Sequence, residues 1–97
     1  MQLKDRVAIV TGAASGIGAG IALRFAEEGA QVVVNDRSLM AAESVSENIE
    51  NMGRKATPIQ ADVSTLEDVE RMFGEANDLF GRVDILISNA GLRKDAP

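Results

Sequence analysis

The chain of 97 residues contains no histidine, cysteine, tyrosine or tryptophan. It therefore has no imidazole base, thiolate nucleophile, phenolic acid or zinc-binding cluster of its own. Carboxylates, lysines, hydroxyls and backbone amides are what it can work with. Long apolar runs are also missing: none approaches the roughly 20 residues of a membrane span, and the stretch after Arg6 is too short for a secretory leader. The expected compartment is the cytoplasm, with which the absence of cysteine agrees. Positive charge is scarce, ten Lys and Arg against fifteen Asp and Glu for a net charge of −5, and scattered. That excludes the basic footprint of a nucleic-acid or anionic-membrane partner. What is present, 45% hydrophobic residues and only two prolines, describes one ordinary soluble domain. At this length folding buries roughly 60 to 65% of the unfolded surface, enough for one core and not for two.

Short apolar runs alternate with helical periods, and glycines punctuate them. Arg6 to Thr11 reads as a strand, followed by a Gly-rich turn and a helix from about Gly16 to Glu28, with Gly29 closing it. Val32, Val33 and Val34 form a second strand apolar on both faces, as a parallel strand between two helical layers must be. Ser38 can cap a helix that carries Ala41, Val45, Ile49 and Met52 on one face and ends at Gly53. A third strand, about Lys55 to Gln60, contains Pro58, which places it at a sheet edge. Ser64 and Glu67 read as a capping box before a helix with Leu66, Val69, Phe73, Ala76 and Phe80 in register, closed by Gly81. Gly74, inside that helix, points to close packing or a local irregularity. Val83 to Ser88 is a fourth strand. The resulting β-α-β-α-β-α-β order is the first half of an α/β, Rossmann-type doubly wound parallel sheet with strand order 3-2-1-4. The fourth strand would be left with an open edge, so residues 1–97 are read as the N-terminal part of a larger protein.

Thr11-Gly12-Ala13-Ala14-Ser15-Gly16-Ile17-Gly18 joins a strand end to a helix start. In such a turn the first glycine permits the tight exit from the strand and the second lets backbone approach a pyrophosphate. The third allows close packing of helix on strand. Phosphate charge is met there by backbone N–H groups and the helix N-terminus, so an acidic chain can bind an anionic cofactor. The plainer reading is a turn that uses glycine for geometry alone. Asp36, eighteen positions after Gly18, stands where a dinucleotide fold needs an acceptor for the adenosine ribose hydroxyls. A carboxylate about 4 Å from a 2′-phosphate would cost about 4 kcal/mol at an effective dielectric near 20, which favours NAD over NADP. Arg37 follows and could offset that repulsion by turning toward a phosphate, or stand as a solvated loop residue.

Thr11-Gly-x-x-x-Gly-Ile-Gly18, Asp36, Asp62-Val63 and Asn89-Ala90-Gly91 occur in that order along the chain. In these motifs it resembles the short-chain dehydrogenase/reductase family over essentially its whole length. The resemblance implies that Gly12, Ser15, Gly16, Ile17 and Gly18 cradle the cofactor phosphates and the nicotinamide-side ribose. It implies that Asp36 holds the adenine ribose and that Asp62 and Val63 contact the adenine ring. Asn89, Ala90 and Gly91 would line the cleft and brace the central strands, with the Thr11 hydroxyl anchoring the region around Asn89. Ser88 stands where many relatives carry Asn.

The family transfers its proton with a Tyr and a Lys four positions apart, preceded by a Ser and an Asn. No such set can be placed here, since there is no tyrosine, and Lys94 reads as a solvated loop charge. No catalytic and no metal-ligating residue is assigned. The resemblance implies an NAD(P)-dependent oxidoreductase, a nicotinamide dinucleotide as ligand, a carbonyl or alcohol substrate, and a homo-oligomeric parent. The other readings are a non-catalytic dinucleotide module or half-protein completed by a partner, and a related fold for S-adenosylmethionine or a sugar nucleotide.

Overall fold

The computed structural model describes residues 2–13 and 16–89. Four strands alternate with three helices: β1 (Val7–Thr11), α1 (Gly16–Glu27), β2 (Gln31–Asp36), α2 (Leu39–Asn51), β3 (Ala56–Gln60), α3 (Leu66–Phe80) and β4 (Ile85–Ser88). The strands are parallel and lie in the order β3-β2-β1-β4, which right-handed crossovers give with α1 and α2 on one face and α3 on the other. Ala8 pairs with Val32 on one side and Ile85 on the other, and Val10 with Val34 and Ile87.

Side chains alternate across a strand, so consecutive valines feed opposite layers. Ala8, Val10, Val32 and Val34 pack with Ala22 and Ala26 of α1 and Ala42 and Ile49 of α2. Ile9, Val33 and Ile59 face the other way, onto Met72 and Ala76 of α3. Ala22 and Ala26 are fully buried, and their small size lets α1 lie close to the sheet. Pro58 sits in β3, which pairs with β2 alone, so the residue that cannot donate is on an edge strand. At the opposite edge Leu86 is 49% exposed. Beside it opens a surface cavity of about 490 Å³ lined by Phe73, Asn77, Val83 and Leu86.

Four local expectations change. The buried stripe of α2 is Ala42, Ser46 and Ile49, about one residue round from the expected one, and Met52 is exposed where it caps the helix end. The Ser46 hydroxyl is buried and has no hydrogen-bond partner among the described residues. The cap of α3 is Thr65, whose hydroxyl accepts from the Asp68 N–H, and not Ser64. Ser64 donates both its N–H and its hydroxyl to Asp62 Oδ1, which removes it from the helix. Leu66, next to the cap, is exposed, and Met72 and Ala76 are the residues α3 buries. A Cβ on Gly74 would meet nothing within 4 Å, so close packing is not its reason and nothing in the structure explains it.

The entry ends of β1 and β4 are joined through Asp84. Its N–H donates to Val7 O (2.8 Å) while its Oδ2 accepts from the Val7 N–H (2.8 Å). Oδ1 accepts from Arg82 Nε and Nη2, at 3.0 and 2.6 Å. The Arg82 contact and the Val7 N–H hold this carboxyl below its usual 3.8. Among the described residues no helix is long and apolar enough to cross a membrane.

Candidate functional site

At the exit ends of the strands, β1 passes into α1 through a turn in which Gly12 has φ 60°, the left-handed region that favours glycine. The Ala13 N–H donates to Asn35 O at 2.8 Å, so the turn leans on the end of β2. Asn89, 5% exposed, donates from Nδ2 to Gly12 O at 3.0 Å. The Thr11 hydroxyl donates to Ile87 O at 3.3 Å. Gly18 completes the knot. A Cβ there would collide with Gly12 O, come within 2.7 Å of Asn89 Nδ2 and reach 2.9 Å from Ala13 Cα.

Gly16 behaves differently. Among the described residues, a Cβ added to it meets nothing within 4 Å. No acidic residue stands in that first turn, and Ile17 beside it is 69% exposed. The first N–H groups of a helix lack intrahelical partners and its N-terminus is the positive dipole end, so the start of α1, with no competing carboxylate in its first turn, is suited to an anion. Ser15, Ala90 and Gly91, expected at this site, lie outside the described residues.

A second group of residues sits at the ends of β2 and β3. Asp36 terminates β2, half-buried, and its Oδ1 accepts from the Ser38 N–H at 3.1 Å. The exposed Arg37 places Nε 3.9 Å from Asp62 Oδ2, and its carbonyl accepts from Gln60 Nε2 at 3.3 Å. Asp62 Oδ1 takes the Ser64 N–H (2.9 Å) and hydroxyl (2.6 Å). These bonds, with the Arg37 charge beyond them, lower the Asp62 pKa from its usual 3.8. Val63 is half-buried against the layer of Ile59 and Met72. It also lines a cavity of about 360 Å³ with Thr11, Phe73 and Ser88.

Two residues that join these groups escaped the sequence reading. Asn35 is 1% exposed, and its Nδ2 donates to Ile59 O (3.0 Å) and Ala61 O (3.3 Å) while its backbone carbonyl accepts from the Ala13 N–H. An Asn continuing a triple-valine run was the available signal. Arg71 donates from Nη2 to Gln60 O (2.8 Å) and Oε1 (3.4 Å) and from Nη1 to Glu75 (3.1 Å), tying α3 to the end of β3. Among the described residues no group of three or more acidic, His or Cys side chains could hold a metal.

The profile of the family described as short chain dehydrogenase matches residues 6–97. The chain belongs to the short-chain dehydrogenase family. Its similarity to hydroxynaphthalene reductase arp2 of Aspergillus fumigatus is 44% identity over all of this chain and 36% of that protein. To (2S)-[(R)-hydroxy(phenyl)methyl]succinyl-CoA dehydrogenase subunit BbsD of Thauera aromatica it is 39% over 97% of this chain and 38% of the relative. The crystal structure of a hydroxysteroid dehydrogenase from Escherichia coli superposes with a TM-score of 0.88 at 37% identity, covering 90% of this chain and 37% of that one. This short-chain dehydrogenase chain thus spans somewhat over a third of the length of these relatives, and the family and fold expected from its motifs hold.

Proposed function

We propose that residues 1–97 form the N-terminal, cofactor-binding part of an NAD(P)-dependent oxidoreductase that moves a hydride between a nicotinamide and a carbonyl or alcohol substrate. The observation that carries this reading is the pairing of two glycines of opposite character. Gly18 is locked against Gly12 and Asn89, while a Cβ on Gly16 would meet nothing within 4 Å among the described residues, which suits the approach of a pyrophosphate to the start of α1. Gly12, Ser15, Gly16, Ile17 and Gly18 hold the phosphates and adjoining ribose. Asp36 accepts from the adenine ribose, Asp62 and Val63 border the adenine, and Asn89, Ala90 and Gly91 line the cleft.

When bound, the dinucleotide supplies the hydride chemistry. The residues of this chain bind and orient it; with no tyrosine among them, the proton-transfer groups belong to the remainder of the parent. The Asp36 carboxylate repels a 2′-phosphate, so NAD is the preferred cofactor and NADP the weaker one. The names of the relatives, a hydroxynaphthalene reductase and two dehydrogenases, support a small-molecule substrate.

Calorimetric titration of the chain with NADH and with NADPH at one ionic strength tests this. Tighter binding of NADH is expected, and Asp36→Ala should narrow the difference. A folded sample that binds neither dinucleotide overturns the reading.

A further inference from the structure

Basic residues that look scattered along the chain are gathered by its topology. In a parallel sheet every strand starts at the same end, so a residue just before one strand neighbours those just before the others. Arg6 precedes β1 and Lys55 precedes β3, and their carbonyls accept from the Gln31 and Val32 N–H groups at the start of β2, at 2.8 and 3.2 Å. Arg82 lies shortly before β4, where Asp84 joins Val7. Beside these strand starts opens a surface cavity of about 440 Å³, with Val7, Leu79 and Phe80 as its apolar wall and Arg54, Lys55 and Arg82 as its cations. Asp5 is the carboxylate among its described lining residues, and its charge acts on Arg82, which Asp84 already holds. Lys4, Arg54 and Lys55 are the described basic residues without an ion pair among the described residues, and the last two line this cavity together.

We propose that this cavity binds a small organic anion, with its phosphate or carboxylate head between Arg54 and Lys55 and its apolar body against Leu79 and Phe80. The inference is independent of the cofactor reading, because the five residues of β1 separate the two ends of the sheet by roughly 16 Å. The same cations also offset helix ends: α2 stops at Asn51 and α3 at Phe80, and neither has a basic residue in its last turn. That role fixes the sign of the charge. It requires neither an apolar wall nor two adjacent cations left without a carboxylate. An anion entering here breaks no salt bridge at Arg54 or Lys55, and the apolar wall adds affinity that a bare ion does not gain.

Titration of the isotope-labelled 97-residue chain with phenyl phosphate, followed through amide NMR shifts at fixed ionic strength, tests this. Saturable shifts in the millimolar range are expected at Gly53, Arg54, Lys55 and Arg82. Inorganic phosphate, the head without the body, should bind at least about threefold more weakly. The double variant Arg54→Gln, Lys55→Gln removes both charges from the loop between α2 and β3 and should weaken phenyl phosphate at least about threefold. Leu79→Asp, at a position 59% exposed, should weaken it as well by placing a carboxylate in the wall. The dispersion of each spectrum reports that the variant is folded. No saturable shift at the entry end, shifts confined to Gly12 and Gly18, or an unchanged affinity in either folded variant overturns the inference. Equal binding of the two probes shows a charged surface in place of a pocket and overturns it too. NADH titration of the same sample reads the exit-end amides, so failure of the cofactor reading and failure of this site are told apart.

Discussion

Gly16 and Gly18 lie two positions apart and answer to different constraints, which separates binding from stability at single-residue resolution. Gly16→Val adds a side chain to open space, so the melting temperature should stay level or rise slightly, because Val is a better helix former than Gly. Dinucleotide affinity should fall at least about tenfold, the equivalent of roughly 1.4 kcal/mol, in calorimetry. Gly18→Ala forces the turn backbone or Asn89 to move, a cost of about 2 kcal/mol that shows as a lower urea midpoint. Equal affinity in Gly16→Val would remove the phosphate assignment without touching the fold. Ser46 offers the opposite case: its buried hydroxyl lacks a partner, so Ser46→Ala should stabilise the chain by about 1 kcal/mol in the same denaturation measurement.

At the scale of elements, strand order, alternation and the double-faced character of β2 were legible because they follow from local apolar pattern and from Pro58. The cap of α3 was not, since Ser64-x-x-Glu67 and Thr65-x-x-Asp68 both satisfy the same rule. What decides between them is the Asp62 carboxylate, which takes both donors of Ser64 and leaves Thr65 to start the helix. The phase of α2 was misjudged because a serine, not an apolar residue, completes its buried stripe. Glycine spacing and Asp36 made the site's outline readable, whereas Asn35 and Asp84 act through bonds between residues 24 to 77 positions apart, which no local pattern encodes. Asp84 joins β4 to β1, and folding lowers its pKa. Its contribution is therefore complete above its ordinary value of 3.8 and lost as pH falls through the lower native value. Thermal melts from about pH 7 down to pH 2 should show acid destabilisation that is smaller in Asp84→Asn, which starts from lower stability at neutral pH. Parallel curves for the two proteins would rule this out.

For the whole molecule, the described sheet ends on β4, with Leu86 exposed beside an apolar cavity. Exposed strand edges invite pairing, so the 97-residue chain should self-associate, and Leu86→Asp should reduce that association in sedimentation velocity. A monodisperse monomer before substitution would contradict it. β1 precedes the other described strands in the chain yet lies inside the described sheet, with β2 on one side and β4 on the other. Pairing with β2 closes a loop of one helix, whereas pairing with β4 must gather a stretch about three times longer, a larger entropic demand and a slower event. A three-stranded β3-β2-β1 unit is therefore expected to form ahead of the β4 pairing and to expose one side of β1 until β4 docks, so a nascent chain paused before Asp84 should be the species most in need of protection from its neighbours.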